Sequence, residues 1–276
     1  MKSDRISRLI DKPPALLVLC LVLMLLCSMT GAAAAAETSL SVKDSPERQA
    51  FLSGETNDCP GCDLRGVRLK RRDLRGANLV GADLSDAVLH AARLANAKLD
   101  HAKLQDANLN KADLKRADLT GADLTGALLY AADLSGARLN GANMVQARMG
   151  HARLTRAGLN NTDLTDSNIK NAELADCNLS NAKLKRANLD GANLSRSDLT
   201  GAMAMRASFV GARFRNAKLN QITAIQADFY GADLSGASLV DGDFRGSRLE
   251  RADIDGAITT DMKTKGALLV DGTTSQ

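Results

Sequence analysis

The chain has 276 residues, with 36 Lys and Arg against 32 Asp and Glu, five Cys, five Phe, two Tyr and no Trp. Apolar residues make up 45% and aromatics 3%, so the interior has to be built from Ala, Leu and Gly, and an ordinary core of interlocking rings is excluded. The formal charge of +4, an excess of two cations once the segment before Pro13 is set aside, argues against a polyanion binder driven by counterion release and equally against an acidic imitator of nucleic acid.

Lys2, Arg5, Arg8 and Lys12 precede an apolar run from Ala15 to Cys27, and Ala34 and Ala36 come next in small-x-small spacing. The pattern assigns residues 1–36 as a secretory signal peptide cut after Ala36. The 22 residues from Ala15 to Ala36 also approach the roughly 20 that span a bilayer, so an uncleaved anchor is the alternative. The charge bias directs the chain beyond the apolar run out of the cytoplasm. The expected location is periplasmic or secreted, or on the periplasmic face of the inner membrane if the anchor is retained; otherwise no membrane contact is expected. Residues 37–63 form an N-terminal cap region, in which Asp44-Ser45-Pro46-Glu47 starts a short helix to about Ser53 carrying Phe51 and Leu52.

From Leu64 the chain repeats every five residues, as in Ala77-Asn78-Leu79, Ala82-Asp83-Leu84, Ala122-Asp123-Leu124 and Ala232-Asp233-Leu234. With the Leu position as centre, 40 units run from 64 to 259 without an insertion. The centre is Leu in 29 of them and the residue two before it is Ala in 30, a register that demands a repeat architecture. In an α-helix a period of five spirals the leucines around every face. In one long strand it sends successive leucines to opposite sides. Both objections vanish if the chain turns once per unit: Ala and the centre then point inward, the residue between them points out, and pairs such as Thr120-Gly121, Asn140-Gly141 and Asp190-Gly191 carry the turn.

These residues resemble the pentapeptide-repeat family, with its motif A(D/N)LXX. The resemblance implies an all-β fold, a right-handed quadrilateral β-helix with four units per coil, here joined to the short N-terminal helical cap. Unusual residues recur twenty apart, Ala204 with Ala224 and Phe209 with Phe229, in keeping with four sides. Ten coils at ~4.8 Å give a rod on the order of 48 Å long. Residues 260–276, with Ala267 to Val270 as their apolar cluster, are a C-terminal tail or cap. Either this segment folds over the last coil or that end meets another molecule, a second copy included.

Few residues invite chemistry. Cys59-Pro60-Gly61-Cys62 reads as inner packing or a structural disulfide: a metal site needs a second pair and Cys177 is alone, and a redox motif of this type needs a βαβ scaffold. His90, His101 and His151 fall on different coils and do not converge. The outward acids Asp83, Asp113, Asp133 and Asp233 read as local hydrogen-bond acceptors for the turns. No catalytic residue, cofactor site or metal site is expected, because a convex rod offers no enclosing cleft.

Some family members are acidic DNA mimics that bind type II topoisomerases. Here the acid-bearing sides, 63, 83, 123, 163, 243 and 73, 113, 133, 173, 233, 253, are broken by Lys103, Lys183, Arg93, Arg153 and Arg213. Neither that role nor direct nucleic-acid binding is favoured, since a basic stripe and aromatic platforms are missing. One departure from the pattern stands out: Met205, Val210, Ile225 and Tyr230 take outward or turn positions beside the shrunken centres Ala204 and Ala224. They form an apolar patch for a protein partner, or else a local exchange of inside for outside with Phe209, Phe214 and Phe229 filling the axis. The expectation is an exported, non-enzymatic protein that binds a protein partner or itself as a scaffold.

Overall fold

The computed structural model describes residues 45–276; the signal peptide or anchor expected at 1–36 and the start of the 37–63 segment lie outside them. Helix α1 covers Pro46–Ser53. Proline suits a first turn, where a missing N–H costs nothing, and Glu47 places an acid at the positive end. Gly54, at φ 91°, ends the helix, and its N–H and that of Glu55 fold back onto the Ala50 carbonyl at 3.2 and 3.0 Å. Phe51 is fully buried. Arg72 lies 4.6 Å over its ring and donates to its carbonyl, and Arg48 Nε donates to the Asp63 carbonyl at 2.7 Å, so one ring and two guanidinium groups fasten α1 to the first coil.

From Cys59 the chain turns once every five residues. In the unit centred on Leu74, the Ala77 N–H closes back onto the Leu74 carbonyl at 3.1 Å and Gly76 takes φ 68°. The left-handed value recurs at every fifth residue from Gly61 to Gly266, whether that residue is Gly, Asn, Asp, Arg or Ala, which is the pattern of a type II turn. Each unit pairs in parallel with the unit twenty residues on, from Asp63 with Asp83 through to Arg248 with Leu268. Four units thus make one coil, and each of the four sides contributes a single bridging position, too short for extended strands.

The backbone accounting explains the motif. In the unit centred on Leu84, the Ala82 N–H closes the preceding turn onto Leu79, the Asp83 N–H donates to Cys62 in the coil before, and the Leu84 and Asp86 N–H groups donate to Lys103 and Gln105 in the coil after. The fifth donor, the Ser85 N–H, has no backbone acceptor and donates instead to Asp83 Oδ1 at 3.2 Å. The same bond runs from Arg75 to Asp73, from Thr120 to Asp118, from Val145 to Asn143 and from Ser235 to Asp233. Asp or Asn therefore recurs at the outward position because a short side-chain oxygen supplies the acceptor that the ladder lacks.

Inside, the alanines and centres form one continuous buried core from Phe51 to Ala252. At three positions where a polar residue replaces the inner Ala, the hydroxyl bonds to a carbonyl of the ladder, Thr162 to Leu139 at 2.8 Å, Ser167 to Leu164 at 2.6 Å and Ser197 to Leu194 at 2.6 Å. Phe209, Phe214, Phe229 and Phe244 fill the axis near the C-terminal end, with Phe209 stacked on Phe229 at 4.8 Å and edge-on to Phe214 at 5.3 Å. Ala204 and Ala224 are fully buried beside them.

The ends differ from the sequence boundaries. The coil begins at Cys59, not Leu64: Cys59-Pro60-Gly61-Cys62 is itself the first turn, with Pro60 and Gly61 (φ 68°) in the positions a type II turn prefers. It also passes 259. Two more units, centred on Thr264 and Leu269, continue the ladder to Leu268, and the chain then turns at Asp271-Gly272 so that Thr274 pairs antiparallel with Leu268. This hairpin lies along the ladder edge rather than over the axis, and the centres Ile254 and Thr259 stay exposed. Thr in place of Leu at 259 and 264 hides these units from a reading that follows leucine.

Candidate functional site

The two cysteines of the first turn are joined as a disulfide, Cys59 to Cys62, with Cα atoms 5.4 Å apart, and both are buried at inner positions where other coils carry Leu and Ala. Cys177 also occupies an inner position. Burial pushes its thiol up to about 12, and its Sγ donates to the Leu154 carbonyl, so it is a packed thiol rather than a nucleophile.

The histidines do not converge. His101 lies over Gly121, where a Cβ would come within 2.8 Å of the imidazole, and His151 sits edge-on to Tyr130 at 5.5 Å. Among the described residues no group of three or more His, Cys, Asp or Glu is placed to hold a metal ion. The outward acids are tied locally and across coils. Arg75 donates to Asp73 and holds its carboxyl at about 2, below the ordinary 3.8, and Arg186 and Arg196 lower Asp166 and Asp176 in the same sense. Lys103 pairs with Asp83 at 3.8 Å, Lys183 with Asp163 at 3.3 Å and Arg93 with Asp73 at 3.2 Å. Cations thus alternate with acids along the sides that carry most of the carboxylates.

The apolar patch has a definite geometry. Arg206 N–H donates to the Ile225 carbonyl and Gly211 N–H to the Tyr230 carbonyl, which puts Met205 and Ile225 on successive coils of one edge and Val210 and Tyr230 on successive coils of the next. All four are half-exposed. Met203, at 37% exposure, adds to the same surface; it stands at an outward position between the inner Ala202 and Ala204, a signal in the sequence that the turn-position reading passes over. The Tyr230 ring is flanked by Arg248 at 4.0 Å and Arg251 at 5.5 Å. The phenylalanines fill the axis and leave these side chains outside, so the two sequence readings describe different layers of one region.

Comparison with known proteins places this geometry. No curated protein matches the chain at a significant level. It is similar to the pentapeptide-repeat protein HetL, involved in heterocyst differentiation regulation in the cyanobacterium Nostoc sp. strain PCC 7120, with 32% identity over 82% of this chain and 97% of that one and a TM-score of 0.42. It is similar also to the pentapeptide-repeat protein Rfr23 from the cyanobacterium Cyanothece 51142, with 28% identity, 47% and 95% coverage and a TM-score of 0.28. QnrB1, a plasmid-mediated fluoroquinolone resistance protein, shows 17% identity over 52% of this chain and 85% of its own, with a TM-score of 0.30. A family model for pentapeptide repeats, whose members fold as right-handed quadrilateral β-helices, matches in eight copies from 62–99 to 227–258. With that match running through most of the solenoid, the chain belongs to the pentapeptide-repeat family.

Proposed function

We propose that this chain is an exported, non-enzymatic binding protein whose right-handed β-helix is a rigid scaffold in the periplasm, sealed at one end by α1 and presenting the Met203, Met205, Val210, Ile225 and Tyr230 surface to a protein partner. One observation carries the reading: half-exposed apolar side chains gather on adjacent edges of two successive coils, where most other coils place polar or charged residues. The leader-like sequence at 1–36 supports export, and a disulfide in the first turn suits an oxidising compartment. Paired acids without a cleft support a binding role over catalysis.

The test is photo-crosslinking from positions 203 and 210 in the periplasm of the native host, with Met205→Ser/Ile225→Ser in the same background as control. A single protein adduct, lost in the Ser variant while the melting temperature is unchanged, supports the partner surface. A variant that loses its thermal transition but still forms the adduct assigns those side chains to packing and overturns it. Recovery of the protein in the cytoplasm with residues 1–36 intact would overturn export.

A further inference from the structure

One edge of the rod carries, at intervals of twenty, Asn110, Tyr130, Gly150, Lys170 and Asp190. These lie on successive coils, since the Lys111, Ala131 and His151 N–H groups donate to the Tyr130, Gly150 and Lys170 carbonyls. Backbone geometry does not call for glycine at 150: the left-handed residue of that turn is His151, at φ 57°, and Val210 and Tyr230 fill the matching position elsewhere in the column. A Cβ at Gly150 would make ordinary contacts, 3.6 Å from Tyr130 Cδ2 and 3.8 Å from the Lys170 carbonyl oxygen. The missing side chain opens a notch of about 430 Å³ between Tyr130, Arg148 and Lys170.

The lining is one-sided in charge. Arg148, Lys170 and His151 face the notch together with Asn110, Asn168 and Asn171, and no carboxylate does. Among the described residues neither Arg148 nor Lys170 makes an ion pair, whereas cations such as Lys183 and Arg186 are matched by Asp163 and Asp166 one coil away. Asp190, the nearest acid along the edge, accepts from the Ser208 hydroxyl and the Val210 N–H. Tyr130 is 50% exposed, with the His151 ring 5.5 Å away and steeply inclined to it, and offers a ring wall beside the two cations. The positive zone spans two coils, on the order of 10 Å. That is too short for a polyanion and suits one charged group attached to one ring.

We propose that this notch binds a small organic anion, an aryl carboxylate or aryl phosphate, with its ring against Tyr130 and its charged group between Arg148 and Lys170. The site stands apart from the Met205 surface and does not depend on it.

Tyr130 and Tyr230 are the only tyrosines. Labelling tyrosine rings with ¹³C gives an NMR spectrum of two residues, assigned with Tyr130→Phe, in which Tyr230 is the internal control. Phenyl phosphate and benzoate titrated into the full chain should shift the Tyr130 signals saturably and leave Tyr230 in place. Inorganic phosphate and benzyl alcohol should each bind at least about tenfold more weakly, since each lacks one half of the recognition. Gly150→Val, which gives this turn the side chain that Val210 carries at the matching position, should abolish the shifts with an unchanged circular dichroism spectrum, and Lys170→Gln should weaken binding about tenfold. Equal responses at Tyr230, inorganic phosphate binding as well as phenyl phosphate, or a folded Gly150→Val protein that binds normally would each overturn the proposal.

Discussion

Ala204 and Ala224 stand where leucine is the rule, and the adjoining centres Phe209, Phe214 and Phe229 are larger than leucine. All five side chains are fully buried, with ring centroids 4.8 to 5.9 Å apart, so small centres make room for large neighbours. The perturbation that tests this restores the common residue at each position. Ala204→Leu alone adds three carbons to a filled axis and should cost about 1–3 kcal/mol by overpacking. Phe209→Leu alone removes ring atoms stacked on Phe229 and should cost about 1–2 kcal/mol from the cavity it leaves. Independent sites would make the double variant about 2–5 kcal/mol less stable. If the sizes are complementary, combining Ala204→Leu with Phe209→Leu recreates the packing of the earlier coils and the loss falls below about 1 kcal/mol, a coupling of at least ~1 kcal/mol. Urea denaturation followed by circular dichroism measures all four proteins, with the slope in urea checked for constancy because a solenoid can lose its coils in stages. Additive losses would refute the argument from complementary volume.

The turns, the acids and the first coil each supply a further test. Ala131, held at φ 54°, should tolerate Gly with a gain of about 1 kcal/mol, and Gly136→Ala, at φ 67°, should lose as much; urea midpoints that do not move in opposite directions contradict the turn assignment. Asp73 is held at about 2 by the hydrogen bond from Arg75, below its ordinary 3.8, so its contribution is full above about pH 4 and is lost as the pH falls toward about 2. The denaturation midpoint should decline across that window and decline less in Arg75→Gln; a wild-type midpoint that is level from pH 4 to pH 2 would show that the acid pairs do not support the fold. Reducing Cys59–Cys62 should destabilise the N-terminal coil by up to about 2 kcal/mol. Hydrogen exchange should then quicken at Leu64 and Leu69 and stay unchanged near Leu189, whereas uniform quickening would mean that the rod opens as one unit.

The centre of the rod is legible in the chain because each unit repeats one local solution. Ala and Leu two apart share an inner side, and Asp or Asn between them is spent on the one N–H that the ladder leaves over. The signal thins where a residue meets the same need by other means. Cys59 replaces Leu and Cys62 replaces Ala, so the first coil looks like a redox motif. Thr264 follows Thr259 in replacing Leu, so the two units centred on 264 and 269 look like a tail. The clamp on α1 is beyond the reach of the sequence, because Arg72 finds Phe51 only once the coil has brought positions 21 residues apart together. The Gly150 gap is invisible along the chain, where Gly is common in turns, and emerges only when the column is read at intervals of twenty.

Two periods therefore coexist, and insertions and deletions would feel them differently. Gain or loss of five residues leaves every inner side chain inside and every turn intact, yet it carries all later outward residues a quarter of the way around the rod. Tyr130, Gly150 and Lys170, or Met205 and Ile225, share an edge only because the spacing between them is a multiple of twenty. A lineage could lengthen or shorten this solenoid by single units at little cost in folding while scrambling whatever its surface recognises; only changes of whole coils pass unnoticed by both.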